Sequence, residues 1–562
     1  MRKLSLGKKI FSAVLTSALV LGLAGCGSSG GSESAPADAG SAPAAESTAS
    51  ADSSAGEEEA ATESTAEPTT LTVMVYERGN TTETYGSATD NYWTRWIQSE
   101  FGDPNNITLE FVPVPRSEET QKINTLMASG TAPDIIFSYD SNMIIQYGKD
   151  GGLWELTDLI DQYGPTLKEN LAASLPYGQS EGEQWAIPAL RAVTGWQTTY
   201  IRKDWLDEVG YELQTDENGY YHMSIDDFTG LLRQFKDLDP SGQGGEMYPL
   251  GMIGAWNATQ TRPIIWSFLE TDNLTGEMHA CYNERFWPGY KEGVRYLNQL
   301  YNEGLVDPEF MTDTDTSYTA FNNLLSNGRT LAFGHDAGSE LTGVTALYEA
   351  DPDAEVVPFY LDNVNGTQFN RVYSPTGMYI AIPSTCEHPE NAIKYLDWLA
   401  DYDNAKVLHY GFEGIHYEIQ DNKVVTITPT EEEKAASEYD FERITCGDLI
   451  LVYNGAPYGY EESTEGMDEV KAKTTQLKYD SAKVADVGGQ ADYYFQGIQT
   501  EADQKYGGLV PDIEAELPRL IACDPAEFDA EYDAVLDAYL EQGGQEIIDE
   551  KIALYNELEA AK

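Results

Sequence analysis

The chain's six histidines (His222, His279, His335, His388, His409 and His416) fall at no metal-ligand spacing. There is no HExxH and no P-loop. Glycoside hydrolysis needs two carboxylates set about one bond. With 94 acidic residues such a pair can always be drawn, so abundance argues nothing. What remains is binding chemistry. The 36 tyrosines each carry an apolar ring with a polar tip, which suits wet binding surfaces. One stretch has a cation-ligand rhythm, Asp239-Pro-Ser241-Gly-Gln243-Gly244-Gly245-Glu246. Calcium takes oxygen ligands at alternating positions with a glycine at the sixth. Asp239, Ser241, Gln243, Gly244 and the Gly245 carbonyl fit that spacing. Ser and Gln replace stronger ligands, however, and Glu246 falls one position early. A plain Gly-rich turn is the expectation, with a structural Ca²⁺ the alternative and no other cofactor.

The elements that would position binding groups begin behind an export signal. Arg2, Lys3, Lys8 and Lys9 precede an apolar run from Ile10 to Leu23, the order of a secretory signal. The run is short of the about 20 apolar residues a membrane span needs. It ends in Leu23-Ala24-Gly25-Cys26, which resembles the lipobox of bacterial lipoproteins. The resemblance implies removal of residues 1–25, a lipid on Cys26 and a body held at the outer face of the cell membrane. From Gly27 to Pro68 there is no aromatic residue, Lys or Arg. Residues 26–69 are therefore read as a disordered acidic Ser/Ala/Gly tether, with a reach of roughly 35 Å.

The net charge of −60 repels nucleic acid and anionic lipid heads. It disfavours a polyanionic ligand too, unless a local basic pocket overrides the global field. Beyond Cys26, Cys281, Cys386, Cys446 and Cys523 show no CxxC spacing. A chain of this size needs no staples, so mostly free, buried thiols are expected.

Alternation predicts a strand over Leu71–Tyr76 and another over Thr108–Val114. A helix fits Ser117–Gly130, with Ser117 as N-cap and Gly130 closing it. A third strand fits 132–138. Strand, helix, strand, helix, strand argues for a parallel sheet with covered faces. Ser224-Ile-Asp-Asp227 opens a helix with apolar face Phe228, Leu231, Leu232 and Phe235. The tail from Gln545 to Leu558 puts Ile547, Ile548, Ile552, Tyr555 and Leu558 on one helical face.

Met127-Ala-Ser-Gly-Thr-Ala-Pro-Asp-Ile135 resembles the SGxxPDI element of extracellular solute-binding proteins of ABC importers. Leu159–Lys168, Ile201–Asp207, Tyr301–Glu309 and Tyr410–Glu418 resemble runs of the large lipoprotein branch of that family in Gram-positive bacteria. The resemblance covers about residues 70 to 560. It implies an α/β fold of two doubly wound lobes with crossing hinge strands, periplasmic-binding-protein-like (type II). Ligand sits in the cleft between lobes that close by hinge motion. Crossings are expected near Ile187–Thr194, Gly328–Gly334 and Tyr373–Met378. That assigns 70–190 plus about 330–380 to the N-terminal lobe, and about 191–329 plus 381–562 to the C-terminal lobe.

A sugar ring has apolar faces and a rim of hydroxyls, so its cleft needs aromatic platforms and bidentate polar groups. Loops after strands and the hinge select Glu77, Arg78, Tyr139, Asp140, Trp196, Trp256, Asn257, Trp266, His335, Asp336, Arg371 and Tyr373. Trp196 and Trp256 fit core as well as cleft. For Arg371 and Asp140, an ion pair or solvated surface fits as well as ligand contact. Trp93, Trp96, Trp154, Trp205 and Trp398 read as core, and Glu413 and His416 as shaping the second lobe's rim. The expected function is a lipid-anchored, monomeric, non-enzymatic subunit that captures an oligosaccharide and delivers it to an ABC permease. The alternatives are a binder of peptide or another small solute on the same fold, then a secreted glycoside hydrolase.

Overall fold

The computed structural model describes residues 68–561 apart from 239, 241, 243–245, 313–317, 456–460, 492–493, 496–497 and 499. The signal, Cys26, nearly all of the tether, and the calcium candidates Asp239, Ser241, Gln243, Gly244 and Gly245 lie outside the described residues.

Strand β1 (Thr69–Glu77) is buried on both faces, with Leu71, Val73, Met74, Val75 and Tyr76 all inside. It runs parallel to β2 (Ile107–Pro115) from Thr69↔Ile107 to Glu77↔Pro115. Parallel strands need a crossover. It includes the helix Tyr92–Ile97, capped by Asn91, whose side chain accepts from the N–H groups of Trp93 and Thr94. The next helix, Glu119–Ser129, closes on Gly130 at φ 67°, as the sequence predicts. Ser117 does not cap it, because the chain enters through a 3₁₀ turn, Arg116–Glu118. Ile135 then bridges Val73 beside β3 (Ile136–Ser138).

The chain continues with β4 (Ile187–Arg191), β5 (Gln197–Arg202), β6 (Gln214–Thr215), β7 (Tyr221–Met223) and β8 (Leu250–Gly251). Then come β9 (Ala332–Asp336), β10 (Val356–Leu361), β11 (Thr376–Ala381) and β12 (Tyr453–Asn454). Of the two largest sheets among the described residues, one has the order β12-β4-β11-β3 and the other β8-β9-β5-β10-β7-β6. In the first, β11 runs antiparallel to β3 and β4. In the second, β5 is buried along its length, between β9 and β10, both antiparallel to it.

Each sheet has its own core. The first gathers Trp93, Phe137, Ile187, Ile380, Tyr395 and Tyr453. The second gathers Phe228, Trp266, Tyr290, Leu297, Leu520 and Tyr532. Each such large apolar side chain contributes about 1.5–3 kcal/mol by leaving water.

The division of the chain between cores corrects the expected one. β9 and β10, assigned above to the first lobe, pair with β5 in the second sheet. The helix Pro389–Ala400 and strand β12, assigned above to the second lobe, belong to the first core. Alternation identifies a strand, whereas its partner depends on residues more than a hundred positions away. The chain therefore does not cross at Gly328–Gly334. It passes between sheets from β4 to β5, from β10 to β11, and between β12 and the helix Glu469–Ala485, whose Leu477 packs with Tyr200 and Phe333 of the second sheet. Among the described residues, no helix is long and apolar enough to cross a membrane. Cys281, Cys386, Cys446 and Cys523 are free, the first three buried and the last half-buried.

Candidate functional site

The first two passages between the sheets run antiparallel to each other. Gly195 bridges Val372. The Trp196 N–H donates to the Arg371 carbonyl at 2.9 Å, and the Tyr373 N–H to the Thr194 carbonyl at 2.9 Å. The Gly195 N–H donates to the Asp486 carboxylate, just past the helix Glu469–Ala485. A Cβ on Gly195 would collide with the Ala485 carbonyl, so this approach requires glycine. Burial pushes the Asp486 carboxyl up, against the pull of that hydrogen bond.

This pairing sets Trp196 and Tyr373 side by side, ring centroids 5.9 Å apart. They lie at the base of a cleft of about 980 Å³. One wall is the helix Ser141–Lys149, which contributes Gln146. It is capped by Asp140, whose Oδ1 accepts from the Met143 N–H at 3.0 Å. The facing wall carries Asp503, Gln504 and Tyr506, with Lys551 from the C-terminal helix Gln545–Ala561. Cleft walls thus come from both cores, and its floor from the segments that join them.

Behind the rings lie fixed cations. The Arg191 guanidinium sits 3.4 Å from the Tyr373 ring centroid, and that of Arg262 5.1 Å from the Trp196 centroid. Burial, and next Asp336, push the Tyr373 hydroxyl up to about 12. Arg262 is 4% exposed and donates from Nε to Glu284 at 2.7 Å, and from Nη2 to Glu514 at 3.1 Å. Glu284 also accepts from Trp266 Nε1 at 3.3 Å and the Tyr290 hydroxyl at 3.2 Å, and lies 3.6 Å from Arg371. Burial alone would raise the Glu284 carboxyl, but Arg262, Arg371 and Arg285 outweigh it and hold the group at about 2. The Trp196 platform is thus backed by an ion-pair network in which Arg262, Arg285 and Arg371 surround the buried Glu284 and Glu514 adds a second carboxylate to Arg262.

Of the twelve candidate contacts, Asp140, Trp196 and Tyr373 line the cleft together. Glu77 accepts from the Gly79 N–H at 2.7 Å. Arg78 makes two 2.8 Å bonds to Asp448. Tyr139 is exposed, and its hydroxyl accepts from Asn454 at 2.7 Å. None of these three lines the cleft. Trp256 and Asn257 lie in a 3₁₀ turn, Ala255–Thr261, and their side chains fall outside the described residues. Trp266 is fully buried in the second core. His335 is buried beside a separate pocket of about 270 Å³; burial lowers its pKa, and its Nδ1 accepts from the Asp336 N–H at 2.8 Å. Asp336 accepts from Gln197 at 3.0 Å, and Arg371 reaches back to Glu284. His416 packs on Trp93 and Phe412 in the first lobe, which corrects the placing of the Glu413–His416 loop on the second. Trp154 is not core: it is 39% exposed, with Nε1 on the Cys386 carbonyl.

Sequence reasoning missed Gln146, Asp503, Gln504 and Lys551. For Lys551 a signal existed. It stands four residues after Ile547, a lysine inside an otherwise apolar helical face.

Two α/β lobes with a cleft at their crossing segments form a solute-binding fold. The chain belongs to the bacterial extracellular solute-binding protein family, whose profile matches residues 83–406. It is 24% identical over 465 residues to Lipoprotein LipO of Bacillus subtilis (strain 168), covering 79% of this chain and 85% of that one. It is 22% identical over 468 residues to the polygalacturonan/rhamnogalacturonan-binding protein YtcQ of the same strain, with the same 79% and 85% coverage. The structure of the ABC-transporter substrate-binding protein FusA of S. pneumoniae in complex with kestose superposes with a TM-score of 0.60. That match has 17% identity over 88% of this chain and 100% of that one, and so shows a shared fold.

Proposed function

We propose that this protein captures an oligosaccharide in the interlobe cleft, unaltered, and hands it to an ABC permease at the outer face of the cell membrane. The observation that carries the reading is the paired Trp196 and Tyr373 rings at the cleft floor, between walls that bring Gln146 and Gln504 from different lobes. Aromatic faces match the C–H faces of a pyranose or furanose, and side-chain amides can both donate to and accept from its hydroxyls. Asp140 adds an acceptor. The names of two relatives, the polygalacturonan/rhamnogalacturonan-binding protein YtcQ and the fructooligosaccharide ABC transporter substrate-binding protein FusA, support a saccharide. The LipO relative, a lipoprotein by name, supports a lipid on Cys26. Closure would bring Gln504 towards Gln146 about the Gly195–Val372 pairing. Calorimetry against a panel of oligosaccharides and short peptides tests the reading. Micromolar binding of a saccharide, recovered intact, supports it; tightest binding to peptides, or cleavage of the sugar, overturns it.

A further inference from the structure

We propose that the cleft selects neutral oligosaccharides over uronic-acid ones, and that the Asp503–Lys551 ion pair sets this preference. The inference rests on the oligosaccharide reading above. Among the described side chains lining the cavity, the charged ones are Asp140, Asp503 and Lys551. The Lys551 ammonium lies 3.1 Å from Asp503 Oδ1, so its charge is already answered. Asp140 stands on the opposite wall with one carboxylate oxygen committed to its helix. The lining therefore carries two carboxylates against one ammonium. The guanidinia of Arg191 and Arg262 lie against the Tyr373 and Trp196 rings and are not among the lining side chains; Arg262 is matched by Glu284 and Glu514.

A uronate entering this cleft would give up water near two carboxylates, where the one ammonium among the described lining side chains is already paired with Asp503. Sites built for carboxylates offer forked guanidinium or ammonium donors. The chain's net charge of −60 adds a repulsive field outside the cleft. Composition alone leaves room for a local basic pocket that would reverse that field, and the described lining side chains do not supply one. A neutral sugar meets none of these costs. Its hydroxyls can donate to Asp140 and exchange hydrogen bonds with Gln146 and Gln504. Asp503 is also the third residue of its helix and exchanges hydrogen bonds with Thr500. Asparagine there keeps the shape and removes the charge that answers Lys551.

The test is calorimetry with matched pairs, an oligogalacturonate and its carboxyl-reduced counterpart, alongside a panel of neutral tri- and tetrasaccharides. The wild-type protein is expected to bind a neutral saccharide at least tenfold more tightly than any uronate. The ratio of uronate to neutral affinity should rise at least fivefold in Asp503→Asn. Residual uronate binding by the wild-type protein should strengthen between 20 and 200 mM salt, about, as repulsion is screened, a measurement that needs no variant to fold. Uronate binding as tight as neutral binding, uronate binding that weakens with salt, or an unchanged ratio in Asp503→Asn overturns the inference and leaves the oligosaccharide reading standing. Binding of no saccharide in either class overturns both.

Discussion

Glu284→Gln is the most informative single change, because Glu284 ties the core of the second lobe to the floor of the cleft. The side chain is 3% exposed and answers Arg262, whose own side chain is 4% exposed. Glutamine keeps the volume, but its single oxygen can replace only one of the two carboxylate oxygens that accept from Trp266 and from Tyr290, and it leaves the Arg262 guanidinium with Glu514 as its one remaining carboxylate partner. Breaking a buried pair by removing one partner costs about 3–5 kcal/mol. A second route gives a similar figure. A carboxyl held at about 2 against an ordinary 4.5 contributes about 3 kcal/mol of stability at neutral pH. The sign follows from the depressed value. Below pH 4.5 the unfolded chain binds this proton and the folded one does not, so the contribution is complete above pH 4.5 and disappears as pH falls towards 2. Urea unfolding followed by tryptophan fluorescence should show the full gap between wild type and variant at pH 7. The gap should narrow steadily on acidification from pH 4.5. Because Arg262 backs Trp196, saccharide affinity of the folded variant should also fall. A gap under about 1 kcal/mol at pH 7, or one independent of pH across that window, would refute the argument that three guanidinia hold this carboxylate charged in the interior.

Trp196→Ala should weaken saccharide binding by about 1–3 kcal/mol by calorimetry, in line with loss of a stacking platform, with little change in melting temperature because the ring is half-buried. Trp266→Ala should do the reverse: its ring is fully buried, so denaturant unfolding should register a loss of about 3–5 kcal/mol while the remaining folded fraction still binds. Burial pushes the thiols of Cys386 and Cys446 up to about 12 and that of Cys281 up to about 11. A thiol reagent at pH 8 should therefore label half-buried Cys523 first in the folded acylated protein, and all four thiols after unfolding; equal labelling rates in the folded state would contradict their placement. Cys26→Ser should move the protein from the membrane fraction to the medium, and retention on the membrane would remove the lipid from the account.

Legibility in the sequence followed the range of the interactions involved. The opening β1–helix–β2–helix–β3 run was readable because alternation, helical period and the Gly130 stop are local. The C-terminal helix was readable for the same reason, with Ile547 and Ile548 buried as its apolar stripe requires. Ser224 caps Ile225–Lys236 through the Asp227 N–H, again within four residues. Strand partners were not readable. β9 looks the same in sequence whether it joins the first sheet or, as it does, lies against β5. Half of the cleft escaped for a related reason. Asp140, Trp196 and Tyr373 were found because they follow strands or sit at crossings. Gln504 and Lys551 reach the cleft only through the packing of helices far down the chain. Trp266 misled because a tryptophan whose indole N–H bonds a buried glutamate looks, in sequence, like one beside a loop.

The central claim is that a saccharide is held between the lobes against Trp196 and Tyr373. A crystal structure of the protein with its tightest-binding oligosaccharide tests this most directly. The account predicts a sugar ring stacked on one or both of these side chains, with Gln146 and Gln504 closing on its hydroxyls from opposite sides. A saccharide seated elsewhere, or bound to one lobe with the cleft vacant, would contradict it.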